Sequence, residues 1–411
     1  MKVLFLPRWY PTSGYPWGGV FVREQARAAI AAGVDVRVLH VPDLGEKVGG
    51  LWRIADETDP ALTGGIPTTR VLSRPISVPA SRGLSFRLSY ALQVRATRMA
   101  IQRLREDGFA PDLIHAHVYG AGAVAVDAGK ALGLPVVITE HSTAFPRREL
   151  RPGQLERARA AFLRADRVLP VSLSLRQAIE AYGIQARFEI VPNAVDPALF
   201  HPGEETIGRT DGAGRKRLIF VGSLEPTEHK GFPTLIDGLR LLAGRRTDWT
   251  LDVVGDGPSR PDLAARVTAE GLAGCVTFHG GLPKPRVAEM MRGSYLFVMP
   301  SNFETQGCVI LEAMCSGLPV VSTAVGGIPE IVSDKDGLLV GPRDPAALAG
   351  ALEAVLARPV LFERRDIAAR AVARFGLEAV GAELARVYSD VLAEHGQKVE
   401  RPTAAGASAP R

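Results

Sequence analysis

Pro300-Ser301-Asn302-Phe303-Glu304-Thr305-Gln306-Gly307-Cys308-Val309-Ile310-Leu311-Glu312-Ala313-Met314 is the stretch on which the reading of this sequence turns. It follows Leu296-Phe297-Val298-Met299, a short apolar run of the kind a buried strand shows, and then opens into a helical pattern. Similar runs recur around it at 217–221, 251–254, 276–279, 320–322 and 338–340, each followed by a loop marked by Gly or Pro. Strands alternating with helices predict βαβ units and a parallel sheet covered on its faces. In such open sheets the ligand lies outside the carboxyl ends of the strands.

The first half of the chain carries the same rhythm, with apolar runs at 3–6, 34–41, 113–116, 136–139, 167–171 and 189–191. The pattern lapses between Asp196 and Lys216, where Pro197, Pro202, Gly203, Gly208, Gly212 and Gly214 crowd a polar segment. The predicted organisation is therefore two Rossmann-like domains, residues 1–196 and 217–372, joined by a linker at 197–216. An amphipathic helix at 373–395 and a Pro/Ala/Ser/Gly-rich tail at 396–411, expected to be disordered, complete the chain. A length of 411 residues suits two domains, each with its own core.

Composition narrows the function by exclusion. The net charge of +5 comes from Lys and Arg spread along the chain, without an aromatic-interleaved basic motif, so nucleic acid is not an expected partner. Cys275, Cys308 and Cys315 lack CxxC or Cys/His spacing, which argues against disulfides and zinc and fits a reducing cytoplasm. The apolar run at the N-terminus ends at Pro7 and Arg8, too short for a signal segment, and no stretch approaches the ~18 residues of a membrane span. Residues 83–105 form a basic amphipathic pattern, which fits a helix resting on the anionic inner face of a membrane or an ordinary surface helix.

The two carboxylates of the opening stretch, Glu304 and Glu312, stand eight positions apart. If most of the interval is helical, eight steps of ~1.5 Å separate them by roughly 12 Å, the reach from a sugar ring to a ribose across a diphosphate. Each carboxylate could accept hydrogen bonds from a vicinal diol. Between them, the backbone amides of Gly307, Cys308 and Val309 at a helix N-terminus offer donors to phosphate. The plainer alternative is that Glu304 caps the helix and Glu312 lies on a solvated face.

This stretch, with Gly317-Leu318-Pro319-Val320-Val321-Ser322 and Gly326-Gly327-Ile328-Pro329-Glu330, closely resembles the donor-site signature of the family 4 retaining glycosyltransferases, glycosyl transferases group 1. Weaker matches follow the same order over about residues 1–390: Gly18-Gly19, His115-Ala116-His117, Val191 to Asp196, Phe220-Val221-Gly222-Ser223, Lys230-Gly231, and Val254 to Pro258. The resemblance implies the α/β GT-B fold, with an acceptor-side N-terminal domain, a donor-side C-terminal domain and a last helix crossing back. It implies transfer of a sugar from a UDP- or GDP-linked donor to a hydroxyl acceptor with retention of configuration. A retaining hexosyl- or N-acetylhexosaminyl-transferase is the enzyme class expected.

Residue by residue, the resemblance implies that Glu304 and the amides of Gly307, Cys308 and Val309 hold the donor, that Glu312 takes the ribose, and that Leu282 lies near the base. His117, Lys230 and Glu304 are the catalytic candidates. Lys230 suits the role of a cation that neutralises a leaving diphosphate. Gly19 would bring backbone close to the diphosphate, and Gly18, Glu140 and His141 are acceptor-side candidates. One departure stands out: the family usually has an Arg where this chain has Ser223, and His229, Arg8 or nothing would then supply the charge. Asp334-Lys335-Asp336 is read as a solvated turn rather than a metal motif, so neither a metal nor another cofactor is expected.

Two competitors share these sheets. A dinucleotide-dependent oxidoreductase is disfavoured because the first strand–helix loop lacks GxGxxG and its following acid. A non-catalytic sugar-nucleotide-binding protein of the same fold is the other, since fold alone does not confer activity.

Overall fold

The computed structural model describes residues 1–42, 50–79, 81–203, 210–358 and 362–400. The first domain runs β1 (Lys2–Pro7), α1 (Val20–Ala31), β2 (Asp35–His40), β3 (Trp52–Glu57), α2 (Pro60–Thr63), β4 (Thr68–Ser73), α3 (Arg82–Glu106), β5 (Leu113–His117), α4 (Tyr119–Leu132), β6 (Val136–Glu140), α5 (Pro152–Arg164), β7 (Arg167–Pro170) and α6 (Leu173–Glu180). The second runs β8 (Lys216–Val221), α7 (Phe232–Ala243), β9 (Trp249–Val254), α8 (Arg260–Ala269), β10 (Val276–Gly280), α9 (Lys284–Arg292), β11 (Leu296–Met299), α10 (Cys308–Cys315), β12 (Val320–Thr323), α11 (Ile328–Ile331), β13 (Gly337–Val340), α12 (Pro345–Ala357) and α13 (Arg364–Phe375). α14 (Leu377–Glu400) follows.

The strands assemble into two sheets, ordered β3-β4-β2-β1-β5-β6-β7 and β10-β9-β8-β11-β12-β13. All neighbours are parallel except β3, which pairs antiparallel to β4. Central strands such as Val3–Leu6 and Leu296–Met299 are buried on both faces, which is why they read as unbroken apolar runs. β3 and β4 escaped the sequence reading because their polar residues pair with one another, Arg70 with Glu57 and Thr69 with Asp56. The predicted strand at 189–191 is also corrected. The bridge to β7 is made by the preceding residue, Phe188, to Val168; within 189–191 the amides of Glu189 and Val191 bond to the carbonyls of Val168 and Pro170, and Pro192 then has no amide hydrogen to extend the ladder.

α14 packs on α1 of the first domain, so the last helix does cross back. Gly381 permits the approach, since a Cβ there would sit 2.1 Å from the Ala28 carbonyl oxygen. Val380, Leu384, Val387, Tyr388 and Val391 join Val3, Phe5, Val22 and Ala26 in one buried cluster. The helix continues through Gly396 to Glu400, past its predicted end at 395, because a single Gly costs an exposed helix only about 1 kcal/mol. The rest of the predicted tail, 401–411, lies outside the described residues, as do 204–209 of the predicted linker.

α3 buries Leu92, Ala96, Ala100, Ile101 and Leu104 and leaves Leu84, Phe86, Leu88 and Met99 exposed. Among the described residues no helix is long and apolar enough to cross a membrane. The three cysteines are all unpaired.

Candidate functional site

β11 delivers the chain into a loop carrying Glu304, and Gly307 (φ 92°) ends that loop as the N-cap of α10. Only the second half of the Glu304–Glu312 interval is helical, so the 12 Å estimate made for a mostly helical interval does not apply. The first bonds of the helix run from the amides of Ile310 and Leu311 to the Gly307 carbonyl. The amides of Gly307, Cys308 and Val309 precede this ladder and stand at the positive end of the helix.

Both carboxylates are buried, Glu304 at 8% exposure and Glu312 at 7%, which removes the solvated-face alternative for Glu312. Each faces a lysine. Lys230 Nζ lies 2.5 Å from Glu304 Oε2, and Lys284 Nζ lies 2.8 Å from Glu312 Oε1. Lys284 is also 3.6 Å from Glu24 of α1, so its ammonium bridges the two domains. Burial alone would lower the Lys284 pKa, but the two carboxylates outweigh it and the pKa ends raised.

Glycines set the walls close together. A Cβ at Gly326 (φ 54°) would stand 1.7 Å from the Glu304 carbonyl oxygen, and one at Gly231 (φ 64°) 1.8 Å from that of Pro300. Residues between the two carboxylates grip the first domain: the Ser172 hydroxyl donates to the Thr305 carbonyl (2.7 Å), and Asn193 donates through its backbone and side-chain nitrogens to Gln306 Oε1 (2.8 and 2.7 Å). Glu330 accepts the amides of Leu173 and Ser174 at the start of α6.

In the first domain, the register pairs Pro7 of β1 and Thr139 of β6 with His117, at the carboxyl end of β5. The His117 ring is fully buried against Phe5 and His115, its Nδ1 3.2 Å from His141 Nε2. Its Nε2 has no hydrogen-bond partner among the described residues. Burial holds its pKa well below the usual imidazole range, so the ring is neutral. Val118 follows with φ 71°, a conformation costly for a β-branched residue and characteristic of functional loops.

Glu140 is placed as a brace. It is wholly buried and its carboxylate accepts the amides of Tyr119, His141 and Ser142. Burial pushes its carboxyl up to about 7 against the pull of those amides and Arg8. His141 is 8% exposed, its ring against Phe21. Gly19 (φ 65°) sits against backbone of its own domain, where a Cβ would lie 2.0 Å from the Trp9 carbonyl oxygen, and Gly18 packs on the Tyr15 ring. Trp17 reaches the second domain beside Gly281.

The family description "Glycosyltransferase Family 4" matches residues 18–199, and "Glycosyl transferases group 1" matches residues 215–358. D-inositol 3-phosphate glycosyltransferase of Frankia alni is 30% identical over 90% of this chain and 97% of its own length. This chain belongs to the family 4 glycosyltransferases. Glycogen synthase of Mycobacterium tuberculosis is 26% identical over 98% of this chain and 97% of its own. HepE of Anabaena, solved with UDP and glucose, superposes with a TM-score of 0.73 at 23% identity, over 95% of this chain and 99% of that one. The two-sheet architecture of this transferase is thus the GT-B fold.

Within this family 4 transferase, Ser223 is exposed and lines a small cavity with Glu228, Lys230 and Gly231, and Leu282 is half-buried against the core of the second domain. Asp336 corrects the sequence reading. Instead of a solvated turn residue it is 2% exposed, bound to Ser333 and to Arg370 (2.9 Å). Among the described residues no three His, Cys, Asp or Glu side chains are grouped as a metal site requires. Sequence reasoning missed Lys284, Glu24, Thr305 and Gln306. Lys284 lies two residues after Leu282 and no spacing rule links it to Glu312, although a cation so close to an expected ligand loop was a usable signal.

Proposed function

We propose that this transferase moves a hexose or N-acetylhexosamine from a UDP- or GDP-linked donor to an acceptor hydroxyl with retention of anomeric configuration. The observation that carries the reading is the pair of buried carboxylate–lysine contacts, Glu304–Lys230 and Glu312–Lys284, flanking the amides at the start of α10. Glu304 with the amides of Gly307 and Cys308 would hold the sugar hydroxyls, Val309 would extend the amide set, and Glu312 would take the ribose, with Leu282 toward the base. Lys230 would neutralise the diphosphate as the bond from the anomeric carbon to the phosphate oxygen breaks. His117, neutral and with Nε2 unpartnered, suits a hydrogen bond to the reacting sugar. HepE, which holds UDP and glucose on the same fold, favours uridine and a hexose.

A panel of nucleotide sugars in a thermal-shift assay tests the donor. The true donor at a hundredfold excess over its Kd is expected to stabilise the fold by about 2.7 kcal/mol. The anomeric proton coupling of the product should match that of the donor. An inverted product refutes retention.

Transfer is expected to proceed in excess EDTA, because in this reading Lys230 and the α10 amides supply the charge on the diphosphate. Turnover that is lost and then restored by magnesium or manganese would overturn this.

A further inference from the structure

In the reading above the second domain meets the diphosphate with Lys230, and Ser223 brings no charge. A guanidinium from the opposite domain reaches the same place. Arg147 lies in the turn between β6 and α5, which is rooted by Phe145 (1% exposed) and by bonds from the amides of Arg147 and Glu149 to the carbonyls of Thr143 and Ala144. Its Nη1 is 2.9 Å from His229 Nε2, and its guanidinium carbon is 5.7 Å from the Phe303 ring centroid. Arg147 is thereby held by the residue preceding Lys230 and the residue preceding Glu304. Its own-domain partner, Glu149, is about half exposed.

An arginine remains protonated, so His229 Nε2 must accept from it, and the imidazole is neutral with its proton on Nδ1. Burial, Arg147 and Lys230 all act in that direction on its pKa. Nδ1 is buried and has no hydrogen-bond partner among the described residues, a second donor beside the guanidinium.

We propose that Arg147 is the second cation of the diphosphate site, supplied across the cleft by the first domain and held by His229 in place of the arginine missing at Ser223. The inference rests on the donor site proposed above. A guanidinium can grip a phosphate through two parallel hydrogen bonds. Because Arg147 and Lys230 stand on different domains, the full charge assembles only when the domains face each other.

Calorimetric binding of UDP, GDP and UMP to the full chain tests it. Arg147→Ala should raise the Kd of UDP or GDP about tenfold, a loss of about 1.4 kcal/mol, and leave that of UMP less affected. Ser223→Arg added to Arg147→Ala should recover most of the loss, which a purely structural role for Arg147 would not allow. Should Arg147→Ala fail to fold, Arg147→Gln replaces it. Unchanged diphosphate binding, or a loss that Ser223→Arg does not repair, overturns the proposal. Lys230→Ala run in parallel separates the two readings: if it too leaves diphosphate binding unchanged, the donor site itself is misplaced.

Discussion

Lys230→Ala is expected to lower turnover by ~10²–10³, the usual loss when one preorganised stabiliser of developing charge is removed. Its ammonium stands at the junction of two demands. In the free protein it offsets the Glu304 carboxylate at 2.5 Å, and with donor bound it would face the leaving diphosphate. Truncation removes the stabiliser and also leaves Glu304, 8% exposed, with an unopposed charge beside an anionic ligand. Both the rate and donor affinity should therefore fall. The measurement is kcat and donor KM beside the melting temperature. Near-normal kinetics in a protein that melts normally would place the diphosphate elsewhere.

Glu312→Ala should weaken donor binding by about 1.5–3 kcal/mol, the value of a hydrogen bond to a charged acceptor. The Lys284 contact adds a second effect. Without Glu312 the Lys284 ammonium keeps, among the described residues, only Glu24, at 3.6 Å, as its carboxylate partner. The expected loss of stability is about 2–3 kcal/mol, less than for a fully buried severed pair because a quarter of the Lys284 side chain remains exposed. Glu312→Gln keeps the volume and an acceptor oxygen, and should recover more of the binding than of the ion pair. A lower melting temperature with an unchanged donor KM would make Glu312 a purely structural partner of Lys284.

Much of this architecture was legible because central parallel strands must be apolar on both faces. The 296–299 run is β11 residue for residue, and the 251–254 and 113–116 runs fall within one or two residues of β9 and β5. β3 and β4 were not legible, since their polar residues are matched from strand to strand at the sheet edge and leave no apolar run in either strand. A different limit applied to the site. Glu304, Gly307 and Glu312 share one continuous stretch, so local spacing exposed them. Lys284, Glu24 and Arg147 enter from three other elements, and only tertiary structure brings them to that stretch. Glu140 and His141 were correctly placed at the end of a strand, but position in a sequence does not reveal that a carboxylate is already taken by three backbone amides.

The return of α14 to the first domain bears on how this protein is made. Tyr388 seats its hydroxyl 2.6 Å from His115 Nδ1, and Val380, Leu384 and Val387 cover α1 and the sheet beside it. A nascent chain that has emerged only as far as the linker therefore lacks the residues that seal its first core. That apolar surface stays open to water, and to chaperones, while the whole second domain is synthesised. Domain-by-domain folding on the ribosome, the usual course for multidomain proteins, cannot run to completion here. The first domain to begin is among the last to finish, and its closing contacts are formed by almost the last described segment to leave the exit tunnel.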